Sequence, residues 1–316
     1  SVQAIESIRN FGLIGVYVLE PAEPLPPMTQ EDLEFERFQI KAVSAIEEEL
    51  DRILKTRKQS RIQTIADMVI RNYGHLDEKI NFYQNLRSLE DYVSRHSLNV
   101  AILCAMITHV MNIRREEQYH TVCAALLHDM GKLKKHEDVY FGAPYSREDA
   151  IRNCETQEEA YSVIEDAFAT EGPAIRRICQ QAAGKQLDLF PEEGKESRYK
   201  MLEGSNVLLV ANRYDEITAM TLQGTAQSEV KAAQELLEHP EVYDPETVQA
   251  LLRSINILPP GASVELSTGE KALVLSENEE NVLRPTVVSF RDNSILDLAL
   301  PQNEDIQIVD VMKTMD

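Results

Sequence analysis

Three apolar helical stretches of this chain each run into a cluster of cation-binding side chains, and that arrangement restricts the fold more than anything else in the sequence. His96 stands at the head of the apolar run Ser97 to Met111. His128 and Asp129 close the next run, and Val207 to Ala211 lead into Asn212, Arg213, Tyr214 and Asp215. One interior histidine is ordinarily a satisfied core residue. Three polar clusters entering apolar helices can meet at one point inside a helical bundle, which is where all-helical proteins build metal sites. The middle cluster lies in the heptapeptide Leu126-Leu127-His128-Asp129-Met130-Gly131-Lys132. A neutral imidazole nitrogen beside a hard carboxylate oxygen suits Fe, Mn or Zn better than Ca. Gly131 lets the backbone pass close to such a site, and Lys132 can hold a phosphate as a point charge.

Composition limits the remaining options. The 316 residues, 43% hydrophobic and 27% charged, suffice for a substantial buried core. There is no run of about 18 apolar residues and no charged-then-apolar leader, so neither a membrane span nor a signal peptide is expected, and the expected location is the cytoplasm. Cys104, Cys123, Cys154 and Cys179 lack any C-x-x-C spacing, which argues against a zinc ribbon or a redox pair and for reduced thiols. A net charge of -21 argues against a DNA or RNA surface, because phosphate backbones demand a basic face. A small anionic ligand would need local positive charge, for which Lys132, Lys134, Lys135 and Arg213 are the candidates.

The periodicity predicts a mainly α fold: a helical bundle preceded by a helical N-terminal region and followed by a small β module. Residues 1–28 read as an extended segment (Ile14 to Glu20) and a proline-punctuated linker, with Ser1 expected to be a processed or excised end. Residues 29–88 read as a helical region. Thr29 and Asp32 resemble a capping box that opens a helix reaching about Thr56, with Phe35, Phe38, Ala42, Ile46, Leu50 and Ile53 along one face. That helix could pack on its own chain or make a homodimer. Further helices are expected at Ile62 to Asn72 and Glu78 to Leu86, with His75 at the turn between them. Residues 89–258 hold the polar clusters, with later helices at Glu158 to Phe168, Ala174 to Ala182, Gln227 to Glu238 and Pro245 to Ser254 and a polar loop at Gly184 to Ser197. In 259–316 short alternating runs predict strands at Ser263 to Leu266, Lys271 to Leu275, Thr286 to Phe290 and Ile306 to Val309, the first two joined by the turn Ser267 to Glu270.

Four stretches occur in the order and at about the spacing of a known family: Tyr92-Val93-Ser94-Arg95-His96-Ser97, Leu126 to Lys132, Val207 to Thr218 and Pro260 to Phe290. Together they resemble the HD-GYP branch of the HD superfamily of metal-dependent phosphohydrolases. The resemblance implies a helical domain whose two or three metals, often iron, hydrolyse cyclic di-GMP. It further implies His96, His128 and Asp129 as metal ligands and Lys132 near the substrate phosphate; Asp129 and Lys132 are the expected catalytic residues, and Arg213, for its positive charge, is a further expected substrate-binding residue. Other ligand positions of the pattern are changed. Tyr92 stands for a carboxylate, Cys154 for a lone histidine, Gln180 and Gln181 for the paired histidines, and Asn212 for an aspartate; the loop that names the branch survives at most as Leu189-Phe190-Pro191. Two imidazoles, one carboxylate and the neutral amide of Asn212 can hold one divalent transition metal weakly, or none, and leave almost nothing for a second.

Three readings follow. One is a degenerate domain of bacterial cyclic di-GMP signalling that binds a cyclic dinucleotide, another small nucleotide or a partner. Another is a single-metal phosphohydrolase of a nucleotide phosphoester. The third is a helical dimerisation protein with a vestigial pocket.

Overall fold

The computed structural model describes residues 30–82, 84–134, 146–190, 200–221 and 226–312. The expected segment Ile14 to Glu20, the proline linker, the Thr29 cap, Lys135 and Pro191 lie outside these residues. Among the described residues there are nine α-helices followed by five strands. The helices are α1 (Gln30–Thr56), α2 (Ile62–Tyr73), α3 (Tyr92–Val110), α4 (Arg115–Leu127), α5 (Arg147–Phe168), α6 (Gly172–Gln186), α7 (Glu203–Thr218), α8 (Glu229–Glu238) and α9 (Pro245–Ser254). The strands are β1 (Ser263–Leu266), β2 (Lys271–Ser276), β3 (Thr286–Ser289), β4 (Ile295–Asp297) and β5 (Ile308–Val311). The mainly α fold with a C-terminal β module is therefore as expected.

α3 is buried on nearly every side because its sequence is apolar all round. It forms the axis against which α1, α2, α4, α7 and α9 pack. Its end is a helix stop of the Schellman type: Asn112 takes a left-handed φ of 53°, its N–H bonds to the His109 carbonyl, and the Ile113 N–H bonds back to Thr108. α1 lays Ile46, Leu50 and Ile53 into the core of its own chain. From the same helix the buried Glu49 reaches the start of α2, where its carboxylate accepts the N–H groups of Ser60 and Arg61. Those donors have no partner inside a helix, so the neighbouring helix supplies the cap.

Several elements differ from expectation, α5 among them, which begins at Arg147 rather than Glu158. The described residues of Glu78 to Leu86 form no helix; Ile80 is bridged in parallel to Ile255 and, just beyond the stretch, Arg87 to Thr221. Side chains of this strap bond to α7, a tertiary demand that overrides its local helical pattern. α6 also continues through Gly184 to Gln186, into the stretch expected to be a polar loop, and passes into a 3-10 turn at Leu187–Leu189.

The strands form one antiparallel sheet in the order β4-β3-β2-β1-β5. The expected hairpin joins β1 and β2, with Val264 opposite Ala272. β4 was not anticipated; it is three residues long and sits at the sheet edge. Val264, Leu266, Ala272, Val274 and Ile308 belong to the same hydrophobic cluster as the helices, and Gln234 of α8 donates to the Ile308 carbonyl at 2.9 Å.

Candidate metal centre

Three elements supply the centre. His96 lies in the first turns of α3, Asn212 in the middle of α7, and His128 and Asp129 just beyond α4, where the chain tightens into a 3-10 turn over Met130–Lys134. Gly131 is required in that turn because its backbone presses on α5. Its N–H donates to Gln157 Oε1 at 2.9 Å, and a Cβ at this position would stand 2.6 Å from that oxygen and from the Thr156 carbonyl. Tyr161 of α5 donates to the His128 carbonyl at 3.0 Å, which fixes the turn from the other side.

The protons of this centre can be assigned by elimination. His128 Nδ1 faces the Ala125 carbonyl at 2.8 Å and must donate to it. His96 Nδ1 faces a carboxylate oxygen of Asp215 at 2.6 Å and must donate there. With both rings neutral, each Nε2 presents a lone pair, and the two atoms lie 3.2 Å apart. Asn212 Oδ1 lies 2.9 Å from each of them. Its amide orientation is set by Glu216, whose Oε1 accepts from Asn212 Nδ2 at 3.2 Å; reversing the amide would put oxygen against carboxylate. In that state three lone pairs converge on one point. The carboxylate of Asp129 adds a fourth donor group, with Oδ2 3.5 Å from His96 Nε2 and Oδ1 3.8 Å from His128 Nε2.

These separations suit one ion. Bonds of about 2.0–2.2 Å place ligand atoms roughly 3.0–3.5 Å apart around a tetrahedral or octahedral centre. Among the described residues, His96, His128 and Asp129 are also the one group of His, Cys, Asp or Glu whose ligand atoms all lie within 4.8 Å. The electrostatics prepare a cation site. Burial pushes the His128 imidazole below its usual range, which disfavours its protonation. Burial alone would raise Asp129, but the Lys132 ammonium beside it outweighs this and holds the carboxyl well below the usual range. Asp215 behaves likewise, with Arg87 ahead of His96 in opposing burial. The ligand set fits one divalent ion, and both imidazoles are aimed by bonds from their far nitrogens, as metal-binding histidines generally are.

Lys132 is buried beside the centre, with Nζ 2.6 Å from Asp129 Oδ2, and Gln157 Nε2 holds the other oxygen at 3.2 Å. A cavity of about 40 Å³ adjoins the centre and is walled by Lys132, Cys154, Gln157, Asn212 and Glu216, among others. Not every expected residue reaches it. Arg213 is turned aside, its Nε on Glu235 at 2.6 Å and its NH1 on Glu216 at 3.3 Å. Gln180 bonds to Glu158 on the surface. Gln181 accepts from Leu202 N–H and Ser205 Oγ at the start of α7. Cys154 does line the cavity, and Tyr92 stacks on His96 with ring centroids 5.5 Å apart. Sequence reasoning missed Gln157, Glu216, Gln84 and Arg87. Asp215 and Glu216 follow Asn212 within one helical turn, so the polar cluster in an otherwise apolar helix was their signal. The strap carried none.

Comparison with curated proteins and with solved structures gave no match. A family model described as HD domain matches residues 93–220, the stretch that contributes His96, His128, Asp129 and Asn212.

Proposed function

We propose that this is an HD-GYP-like protein of cyclic di-GMP signalling whose HD domain holds one divalent transition metal, Fe, Mn or Zn, and through it binds the phosphate of a cyclic dinucleotide or another small nucleotide. Two-metal phosphodiester cleavage is lost in this reading. The observation that carries it is the convergence of His96 Nε2, His128 Nε2 and Asn212 Oδ1, all acceptors, beside a single carboxylate. A bound ion would supply Lewis acidity toward a phosphoryl oxygen. Lys132 balances the charge of Asp129 and presents the cation nearest the cavity. Gln180 and Gln181 are committed elsewhere, so the positions that resemble the paired histidines of the family offer nothing to a second ion. A cavity of about 40 Å³ has room for roughly three waters or one phosphoryl group, far less than a whole dinucleotide. The base and sugar parts of such a ligand would lie outside.

The room for water beside the ion favours one second reading, a single-metal phosphohydrolase in which Asp129 and Lys132 are catalytic. Purified chain loaded with Mn(II) or Fe(II), assayed for binding and turnover of cyclic di-GMP and of nucleotide monophosphates, separates the two. The primary reading expects nucleotide binding that needs the metal, with no turnover. Cyclic di-GMP hydrolysis that disappears in His128→Ala would refute it, and turnover of a monophosphate alone would favour the second reading.

A further inference from the structure

We infer that Arg87 is a positioning residue for the metal ligand His96, that it acts through Asp215, and that it reaches the centre from a strap outside the matched HD stretch. This inference rests on the one-ion reading above. Asp215 is completely buried and receives five donated hydrogen bonds. Oδ2 accepts from Arg87 NH1 at 2.7 Å and from His96 Nδ1 at 2.6 Å. Oδ1 accepts from Arg87 NH2 at 2.7 Å, Gln84 Nε2 at 2.9 Å and Asn99 Nδ2 at 3.0 Å. A carboxylate held on both oxygens by one planar fork cannot rotate, so the ring that donates to it is aimed with it. Arg87 also sits 5.4 Å above the Tyr92 ring, and that ring stacks on His96. The imidazole is thus fixed at its edge by Asp215 and on its face by Tyr92, and Arg87 touches both.

The guanidinium is fully buried, so water cannot stand in for it. Its backbone is anchored separately: the Arg87 N–H donates to the Met220 carbonyl at 2.8 Å, just past the end of α7. Two residues back, Asn85 Nδ2 donates to Gln39 Oε1 of α1 at 2.9 Å, while Gln84 Oε1 accepts from Arg87 NH2 at 2.6 Å. A continuous set of polar contacts therefore runs from the N-terminal helix through the strap to a metal ligand. Gln84 and Arg87 precede residue 93, where the family match begins, so the HD domain needs this strap to complete its centre.

The test is titration of Co(II) into the full chain as wild type, Arg87→Lys and Gln84→Met, following the visible absorption of the bound ion and, separately, the thermal unfolding of each metal-free protein. Wild type is expected to bind one Co(II). Arg87→Lys, which keeps the charge but loses the fork, is expected to weaken binding about 10–100-fold and to shift the absorption band. Gln84→Met leaves the Arg87–Asp215 fork in place and is expected to give a smaller loss in the same direction. A wild-type chain that binds no Co(II) removes the one-ion reading itself. Wild-type affinity and spectrum retained in Arg87→Lys, whatever its unfolding temperature, would overturn the positioning role alone. Should Arg87→Lys fail to fold, Gln84→Met decides in the same way, because unchanged affinity and band would contradict the inference.

Discussion

At the scale of single residues the account turns on donors and lone pairs. Asn212 provides a neutral oxygen where an anion would bind a cation better, so Asn212→Asp is predicted to tighten single-metal binding by about tenfold, the gain of a charged over a neutral contact. Calorimetric titration with Zn(II) would measure it. The same variant should not restore cyclic di-GMP hydrolysis, because no ligands for a second ion are added. His96, His128, Asp129 and Asn212 could be read from the sequence because each interrupts an apolar helix or ends one, where a polar side chain must have a purpose. Arg213 could not be placed in this way. It belongs to the same polar cluster, yet its guanidinium is drawn to Glu235 and Glu216, and which side of a buried helix a cation faces depends on partners far away in sequence.

At the scale of elements, the short turn after α4 and the long α5 are locked together. Gly131→Ala would drive a Cβ into Gln157 and the Thr156 carbonyl, so α5 must retreat. A loss of about 1–3 kcal/mol is expected, as for overpacking elsewhere, together with weaker metal binding because Asp129 moves with the turn. Urea unfolding and metal titration on the one variant would check both, and unchanged values would show that the turn relaxes freely. The helices were legible wherever apolar residues recur over three turns or more, as in α1 and α3. Local pattern failed where tertiary contacts decide. The stretch Glu78 to Leu86 has a helical pattern, yet its described residues form no helix, and Gln84 and the following Arg87 bond to Asp215 instead. The start of α5 was missed although Ser146 and Asp149 form a reciprocal capping box there. β4 was too short to show an alternation, and its Ile295 faces solvent.

At the scale of the whole molecule, helices and sheet share one core, and the candidate metal centre lies inside it among ionisable groups whose burial makes stability depend on pH. His128 is held below its unfolded value of about 6.5, so the unfolded chain takes up that proton first, and the stability it contributes is complete above pH 6.5 and declines as pH falls. Asp129 and Asp215 are held below the ordinary carboxylate value of about 3.9, so their contribution is present above it and is lost on further acidification. The Tm of metal-free protein is therefore predicted to fall in two stages between pH 8 and pH 3; a Tm that is flat from pH 6.5 to 5 would contradict the assignment of His128 as a neutral, buried ligand. Among the described residues no helix is long and apolar enough to cross a membrane. The central claim, that this pocket has donors for one cation and no more, is tested most directly by counting metal. Elemental analysis of protein purified without chelator and reloaded with excess Mn(II) or Zn(II) is predicted to give one ion per chain, lost in a His96→Ala, His128→Ala double variant, whereas two ions per chain, or none, would contradict it.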